Sequence, residues 1–442
     1  MSTVDRAVSR FAERASFVSV LALPILLLHA TSVAEVAIGF VDVIFLARLA
    51  TEPAARRAMR APWIFVAALW WAWLILCSLP GIGAGGWPSL LQAIISARYL
   101  VLVAALESWL LADARARRWL GRVVALSWLY YAAHIAVQFA TGRNLFGVGA
   151  NADGVLTDPI GRARVAAPLS RMLAPVLLPI VGPWLAQRRP TLWLAALALT
   201  VAALAILLVV GQRMPFLLAV FSLVIAAGLL PRLRPVVLLA IIAAGVIIAG
   251  SAIFAPVVFG RLVTQFSEQI EHFRTSDYGL IYDRAMAMAE QHPWFGRGFD
   301  GFRTGCADPR YFTAIARAAP PPLGGGVAGC NIHPHNHYLQ VLTDSGVPGL
   351  VLFTALILTW LAALFRGLLR RPDPLRVGLF AAALIDQWPI ASTSSLYAIE
   401  IEGFFFLLLG WGLAEARAAR IGLSQGTQKD PEPHELSGRG DS

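Results

Sequence analysis

Between Cys330 and Tyr338 the chain reads CNIHPHNHY, with histidines at alternate positions, His333, His335 and His337. Imidazole is the commonest zinc ligand, and alternate residues of an extended segment share a face, so the three can be read as a metal site. Against that, Pro334 interrupts the segment and no carboxylate set accompanies it. A second reading makes one imidazole a general base, since its ordinary pKa of roughly 6.5 lets it take a proton from a hydroxyl near neutrality. Asn336 and His337 would then orient that base and cap the following helix. Gly346 and Gly349 would let that helix approach a neighbour closely. The bland reading is three polar side chains ending a loop. The residues alone leave all three open.

Guanidinium groups are the other candidates. Arg213 opens an apolar run and Arg284 sits in a long polar stretch. Such groups stay charged and present forked donors that suit phosphate oxygens. Each also has a plainer use: Arg213 as an anchor near lipid phosphates, Arg284 as an ion pair with Asp283 or Glu290. Arg98 is expected to pair with Glu107 or with another span, and Arg171 to face the outer surface. Arg297 and Arg303 are weaker candidates for contact with acidic glycans.

The elements that must position these groups are apolar. The 442 residues are 58% hydrophobic and 14% charged, with a mean hydropathy of +0.67. Soluble domains carry about 25% charged residues, so a soluble enzyme is excluded, as is a disordered or fibrous chain, and no short repeat is evident. Apolar segments fall at 16–33, 35–49, 62–80, 89–111, 121–140, 166–186, 191–210, 213–230, 235–259, 337–365, 375–392 and 396–415. Arginines cluster in alternate gaps, as at Arg56, Arg57 and Arg60 or at Arg115, Arg117 and Arg118. That alternation makes both termini cytoplasmic and explains the formal net charge of +10 without nucleic acid. The first segment is read as a retained span rather than a signal peptide, because its removal would break the alternation.

Residues 1–259 therefore form a transmembrane bundle, 260–336 an outer loop, 337–416 further spans, and 417–442 a disordered cytoplasmic tail. A loop as long as 260–336 is usually functional. Leu262, Phe266, Ile270 and Phe273 recur at helical spacing within it, a second helix is expected from Tyr282 to Gln291, and Pro320 to Gly326 reads as an irregular lid. Cys306 and Cys330 flank that lid and are expected to form a disulfide, whereas Cys77 is packing inside a span.

The run His335-Asn336, nine residues, Gly346, two residues, Gly349 resembles the signature of the O-antigen ligase and O-antigen polymerase family of bacterial membrane glycosyltransferases. Two more segments resemble it: Gly211-Gln212-Arg213-Met214-Pro215, and Asp283-Arg284 through His292-Pro293-Trp294-Phe295-Gly296-Arg297-Gly298. The resemblance is strongest from about 200 to 365, with Gln212 standing where the family usually has serine. It implies an all-α, GT-C-like bundle of about twelve spans in the bacterial inner membrane, with its active site facing the periplasm. It implies His335 as the catalytic base, Arg213 and Arg284 on the donor pyrophosphate, and Asn336, His337 and Gln212 in support. The implied donor is a glycan on undecaprenyl pyrophosphate. The acceptor would be lipid A-core for a ligase, another lipid-linked glycan for a polymerase or a protein side chain for an oligosaccharyltransferase, with inversion and with no metal or cofactor. A secondary transporter is the rival class, but no repeat relates the two halves and the polar cluster sits at helix ends.

Overall fold

The computed structural model describes residues 3–151, 154–254, 256–318 and 327–427. All regular elements among them are helical. The framing helices are α1 (Thr3–His29), α2 (Thr31–Thr51), α3 (Pro62–Ser78), α4 (Gly86–Ile95), α5 (Ala97–Ala105), α6 (Ala114–Thr141), α7 (Ala166–Ala186), α8 (Pro190–Val209), α9 (Arg213–Leu229), α10 (Arg234–Phe254), α11 (Asp277–Gln291), α12 (His337–Phe365), α13 (Pro374–Asp386) and α14 (Ile399–Thr427). Helix occupies each of the twelve apolar segments.

Local chemistry sets many of their ends. Asp113 caps α6 by accepting from the backbone N–H groups of Arg115 and Ala116, and Gly142, at φ 78°, terminates it in the left-handed region. Proline occupies the first turn of α3, α8 and α13, where its missing N–H is no loss. Helix α14 runs to Thr427, beyond the boundary expected at 416. The remainder of the expected tail, and the Pro320 to Gly326 lid, lie outside the described residues.

Among the described residues, seven helical stretches are long and apolar enough to cross a membrane: Arg10–His29, Gly86–Leu110, Ala114–Thr141, Ala166–Ala186, Pro190–Val209, Pro231–Phe254 and His337–Phe365. Helices α3 and α9 are apolar but shorter. The chain is thus a multi-pass helical membrane protein, although fewer helices than the expected twelve qualify one by one. Helix α13 is short, and α2 and α14 carry charges; Glu35, Glu400 and Glu402 are ion-paired within the bundle, whereas the buried Asp42 carboxylate has no hydrogen-bond partner among the described residues. Glu35 on α2 takes a two-pronged ion pair from Arg98 on α5, with contacts of 2.8 and 2.9 Å. That settles Arg98 on another span rather than on Glu107, which accepts instead from the Trp63 indole at 2.8 Å.

The centre of the bundle is the pair α7 and α13. Gly378 permits it: a Cβ there would lie 2.7 Å from the Ala174 carbonyl oxygen. Helix α10 is peripheral, with Leu238, Ile242 and Val246 exposed along its length, an apolar face suited to lipid.

The connection from α6 to α7 contains a repeat that composition conceals. Asn144, Asn151 and Asp158 recur at every seventh position, each followed three residues later by a glycine of positive φ, namely Gly147, Gly154 and Gly161. In each unit the glycine N–H donates to the carbonyl of the first residue. The side-chain oxygen of that residue accepts from backbone N–H groups ahead of it. Every turn therefore satisfies its own polar groups, which lets an irregular connector lie against the bundle.

The long loop returns over the same end. A short helix, Gln265–Glu271, leaves Ile270 and Phe273 exposed. Helix α11 starts earlier than Tyr282 because the Ser276 hydroxyl caps it through the Gly279 N–H. Cys306 and Cys330 are disulfide-bonded, with Cα atoms 5.3 Å apart, and Cys77 is free and buried.

Candidate active site

A cavity of about 1460 Å³ opens between α7, α9, the Gln265–Glu271 helix, the start of α11 and the segments 332–339 and 385–401. His335, Arg213, Gln212 and Asn336 all line it. Residue His335 has φ 52°, a left-handed backbone uncommon for a side-chain-bearing residue and typical of sites that over-determine it. Two bonds to one partner hold it. The Thr393 N–H donates to the His335 carbonyl at 2.8 Å, and the His335 Nδ1 lies 3.2 Å from the Thr393 carbonyl oxygen. A carbonyl only accepts, so Nδ1 carries the proton and Nε2 presents its lone pair. The Asn331 amide donates to that Nε2 at 3.1 Å. Burial lowers the pKa of His335, the Thr393 carbonyl partly opposing it, so the ring is neutral near pH 7.

Asn336 caps α12, its Oδ1 accepting from the N–H groups of Tyr338 and Leu339. Its amide donates to the Pro389 carbonyl at 2.7 Å, while the Tyr338 hydroxyl donates to the Gln387 carbonyl at 2.8 Å and the Gln340 amide to the Ser395 hydroxyl at 3.0 Å. The first turn of α12 thus holds the non-helical stretch 387–398, including Thr393, against the base. The segment expected to be a span to 392 stops at Asp386, and this stretch becomes a wall of the cavity.

His337 does not support His335. It is buried and does not line the cavity, its Nε2 3.6 Å from Glu402. There it joins a cluster that sequence reasoning missed. Arg171, expected on the outer surface, is buried and ion-paired with both Asp386 and Glu402. Its partners lie more than 200 positions away in sequence, so no local pattern announces them. His337, Asp386 and Glu402 offer ligand atoms within 4.8 Å of one another, but the Arg171 guanidinium already bonds to both carboxylates. The rings of His333 and His335 meet edge-on with centroids 4.4 Å apart, while His337 lies against Glu402 and does not line the cavity.

Arg213 begins α9, half-buried, with its guanidinium carbon 5.8 Å from the centroid of Phe266. The start of this helix faces the cavity, so first-turn N–H groups add positive potential there. Gln212 is tied back by its amide to the Ala163 carbonyl at 2.7 Å.

Arg284 is placed differently from the expectation. It is fully buried and does not line the cavity. Its Nη1 donates to the Cys306 carbonyl at 2.9 Å and its Nη2 to the Ala328 carbonyl at 2.8 Å, over the face of Phe312 at 3.7 Å. The guanidinium therefore clamps the loop on both sides of the disulfide, and only two of the three expected groups share one cavity. The second arginine half-exposed there is Arg164, ion-paired with Glu400. Arg297 is buried and donates to the Tyr311 hydroxyl, and Arg303 is exposed beside Asp300, so neither reaches the cavity.

The glycines of the signature have separate uses. Gly346, at φ 66°, breaks α12, and the loop 293–301 docks into the break: the Val347 N–H donates to the Pro293 carbonyl at 2.7 Å and the Arg297 N–H to the Thr343 carbonyl at 2.8 Å. Gly349 permits a close helix contact, since a Cβ there would lie 3.2 Å from the Trp73 ring on α3.

No curated protein matches the chain. A family model described as O-antigen ligase matches residues 197–354, which run from within α8 through α9, α10, the long loop and most of α12. That match spans the start of α9 with Arg213, the clamped loop and the base-bearing segment, and over this stretch the chain is similar to the O-antigen ligase family.

Proposed function

We propose that this protein transfers a glycan from undecaprenyl pyrophosphate to an acceptor hydroxyl on the periplasmic side of the bacterial inner membrane, as an O-antigen ligase with lipid A-core as acceptor. The O-antigen ligase domain supports glycan transfer of the ligase or polymerase type. The observation that carries the finer reading is a neutral imidazole, oriented through Nδ1 by a backbone carbonyl, in the same cavity as Arg213. The acceptor hydroxyl displaces the Asn331 amide from Nε2 and gives up its proton there. Its oxygen attacks the anomeric carbon from the face opposite the leaving group, so configuration inverts. The bond from that carbon to the pyrophosphate breaks, and the charge left on the pyrophosphate develops toward Arg213 and the start of α9. Proton acceptance comes from His335 and charge stabilisation from Arg213 with the start of α9, and this reading uses no metal or cofactor.

The test is complementation of a deletion strain, with surface glycan as readout. Wild-type protein restores capped lipopolysaccharide, and His335→Ala inserts normally but transfers about 100- to 10,000-fold more slowly, the usual contribution of a general base. Full activity of His335→Ala overturns the assignment. Uncapped core in the deletion strain identifies a ligase, core carrying a single repeat a polymerase, and normal lipopolysaccharide without exopolysaccharide a dedicated capsule or slime enzyme.

A further inference from the structure

The base has a neighbour that the reaction above does not use. His333 is only 7% exposed, yet it lines the cavity, packed edge-on against the His335 ring. Among the described residues neither of its ring nitrogens has a hydrogen-bond partner. Buried polar groups are nearly always satisfied, and leaving one unmet costs about 1–3 kcal/mol. A second unmet atom belongs to the residue that orients the base: the buried Thr393 hydroxyl also lacks a partner, although the Thr393 backbone makes both bonds to His335. Three orphaned polar atoms therefore sit on two of the residues that contact the base directly.

Their chemistry selects the ligand. Burial, reinforced by His335, pushes the His333 pKa down to about 3, so the ring carries no charge at neutral pH. A neutral imidazole offers one donor and one acceptor, and a threonine hydroxyl can act as either. That set suits alcohol groups, which also donate and accept, and does little for a pyrophosphate, which wants charge. The serines on either side, Ser392 and Ser394, extend the same hydroxyl-lined wall.

We propose that His333 and Thr393 form the subsite for the acceptor sugar, bonding the hydroxyls that flank the one deprotonated by His335. This rests on the glycan-transfer reading, which places the acceptor hydroxyl on Nε2 of the base. Its ligand class is a polyhydroxylated pyranose, uncharged where it touches these two side chains.

The experiment measures KM for donor and acceptor separately, using purified protein in detergent, undecaprenyl-pyrophosphate-linked glycan as donor and lipid A-core as acceptor. His333→Phe fills the same space without polar atoms and should raise the acceptor KM roughly tenfold or more, the scale of one or two lost hydrogen bonds, with donor KM unchanged. His333→Gln, which keeps a donor and an acceptor, should recover part of the loss. Thr393→Val, close to isosteric, should raise the acceptor KM in the same direction and carries the test if His333→Phe fails to fold. An unchanged acceptor KM in the folded variants, or a rise confined to the donor, overturns the subsite while leaving glycan transfer intact. A wild-type protein that transfers nothing to lipid A-core overturns both the ligase reading and this inference.

Discussion

Replacing Arg284 with methionine separates two roles that a guanidinium in this domain can play. Methionine keeps the apolar length of the stem but removes both donors, leaving the Cys306 and Ala328 carbonyls without them. A hydrogen bond from a charged donor contributes about 1.5–3 kcal/mol, so two amount to about 3–6 kcal/mol. Loss of the contact with Phe312 adds about 0.5–2 kcal/mol. Relief from holding a charge in a fully buried position offsets several kcal/mol of that sum. The net expectation is about 2–4 kcal/mol of local stability, or roughly 30- to 1,000-fold faster opening at about 1.4 kcal/mol per decade. Hydrogen exchange read by mass spectrometry over 277–291, 301–311 and 327–336 measures this directly. The disulfide masks part of the effect, because closing a loop of its size stabilises by about 3.5 kcal/mol in the chain-entropy account. The loss of protection should therefore grow in the Cys306→Ser, Cys330→Ser background. Glycan transfer should fall with protection, since the clamped segment leads directly into His335. Loss of transfer with unaltered amide protection would refute the clamp and return Arg284 to the substrate.

Two further outcomes follow from the base and from the broken helix. The active form of His335 is neutral and burial lowers its pKa, so activity should persist below pH 6.5 and be lost only as pH falls through the lowered value. A kcat/KM profile with its acid limb centred above 6.5 contradicts this. Gly346→Ala should destabilise the protein by about 3 kcal/mol or more, because the added Cβ meets the Trp294 carbonyl and lies 2.6 Å from the Pro293 carbonyl oxygen, on top of about 1–3 kcal/mol of backbone strain at φ 66° and ψ −169°. Gly367→Ala, at φ 82° but in open space, carries only the strain; equal Tm shifts for the two variants would show that docking of the loop contributes nothing.

Much of the fold is legible in the sequence because burial in lipid and protein leaves a long apolar record. The twelve apolar segments, the capping asparagine, the cysteine pair and the helix ended by Pro293 all follow from local rules. What escaped is pairing through space. Arg171 looks like a surface arginine until α13 and α14 bring Asp386 and Glu402 to it. Arg284 resembles a ligand for phosphate by its place in a motif, yet its partners are two carbonyls that no side-chain pattern marks. Residues 387–392 read as the end of a span because Trp388, Ile390 and Ala391 are apolar, and only the hydrogen bonds from α12 make a wall of the stretch 387–398. The Asx-Gly turns could have been found by testing for a period of seven, since Asn144, Asn151 and Asp158 and their glycines are visible in the sequence. His333 drew notice only as one of three supposed metal ligands; its unmet nitrogens belong to the folded state.

The stretch 387–398 also changes what the signature asparagine means. Unwound backbone near hydrocarbon survives only where protein atoms replace the missing water. Here the replacements come from Asn336, Tyr338 and Gln340, one helical turn that meets the carbonyls and amides left bare when α13 ends. An asparagine beside the base is thus explained before any reaction is considered: its side chain serves two termini at once, starting one helix and sealing the end of another. Selection on solvation alone would retain it, and a variant lacking it should be judged first as a leak in the protein's insulation and only afterwards as a damaged catalyst.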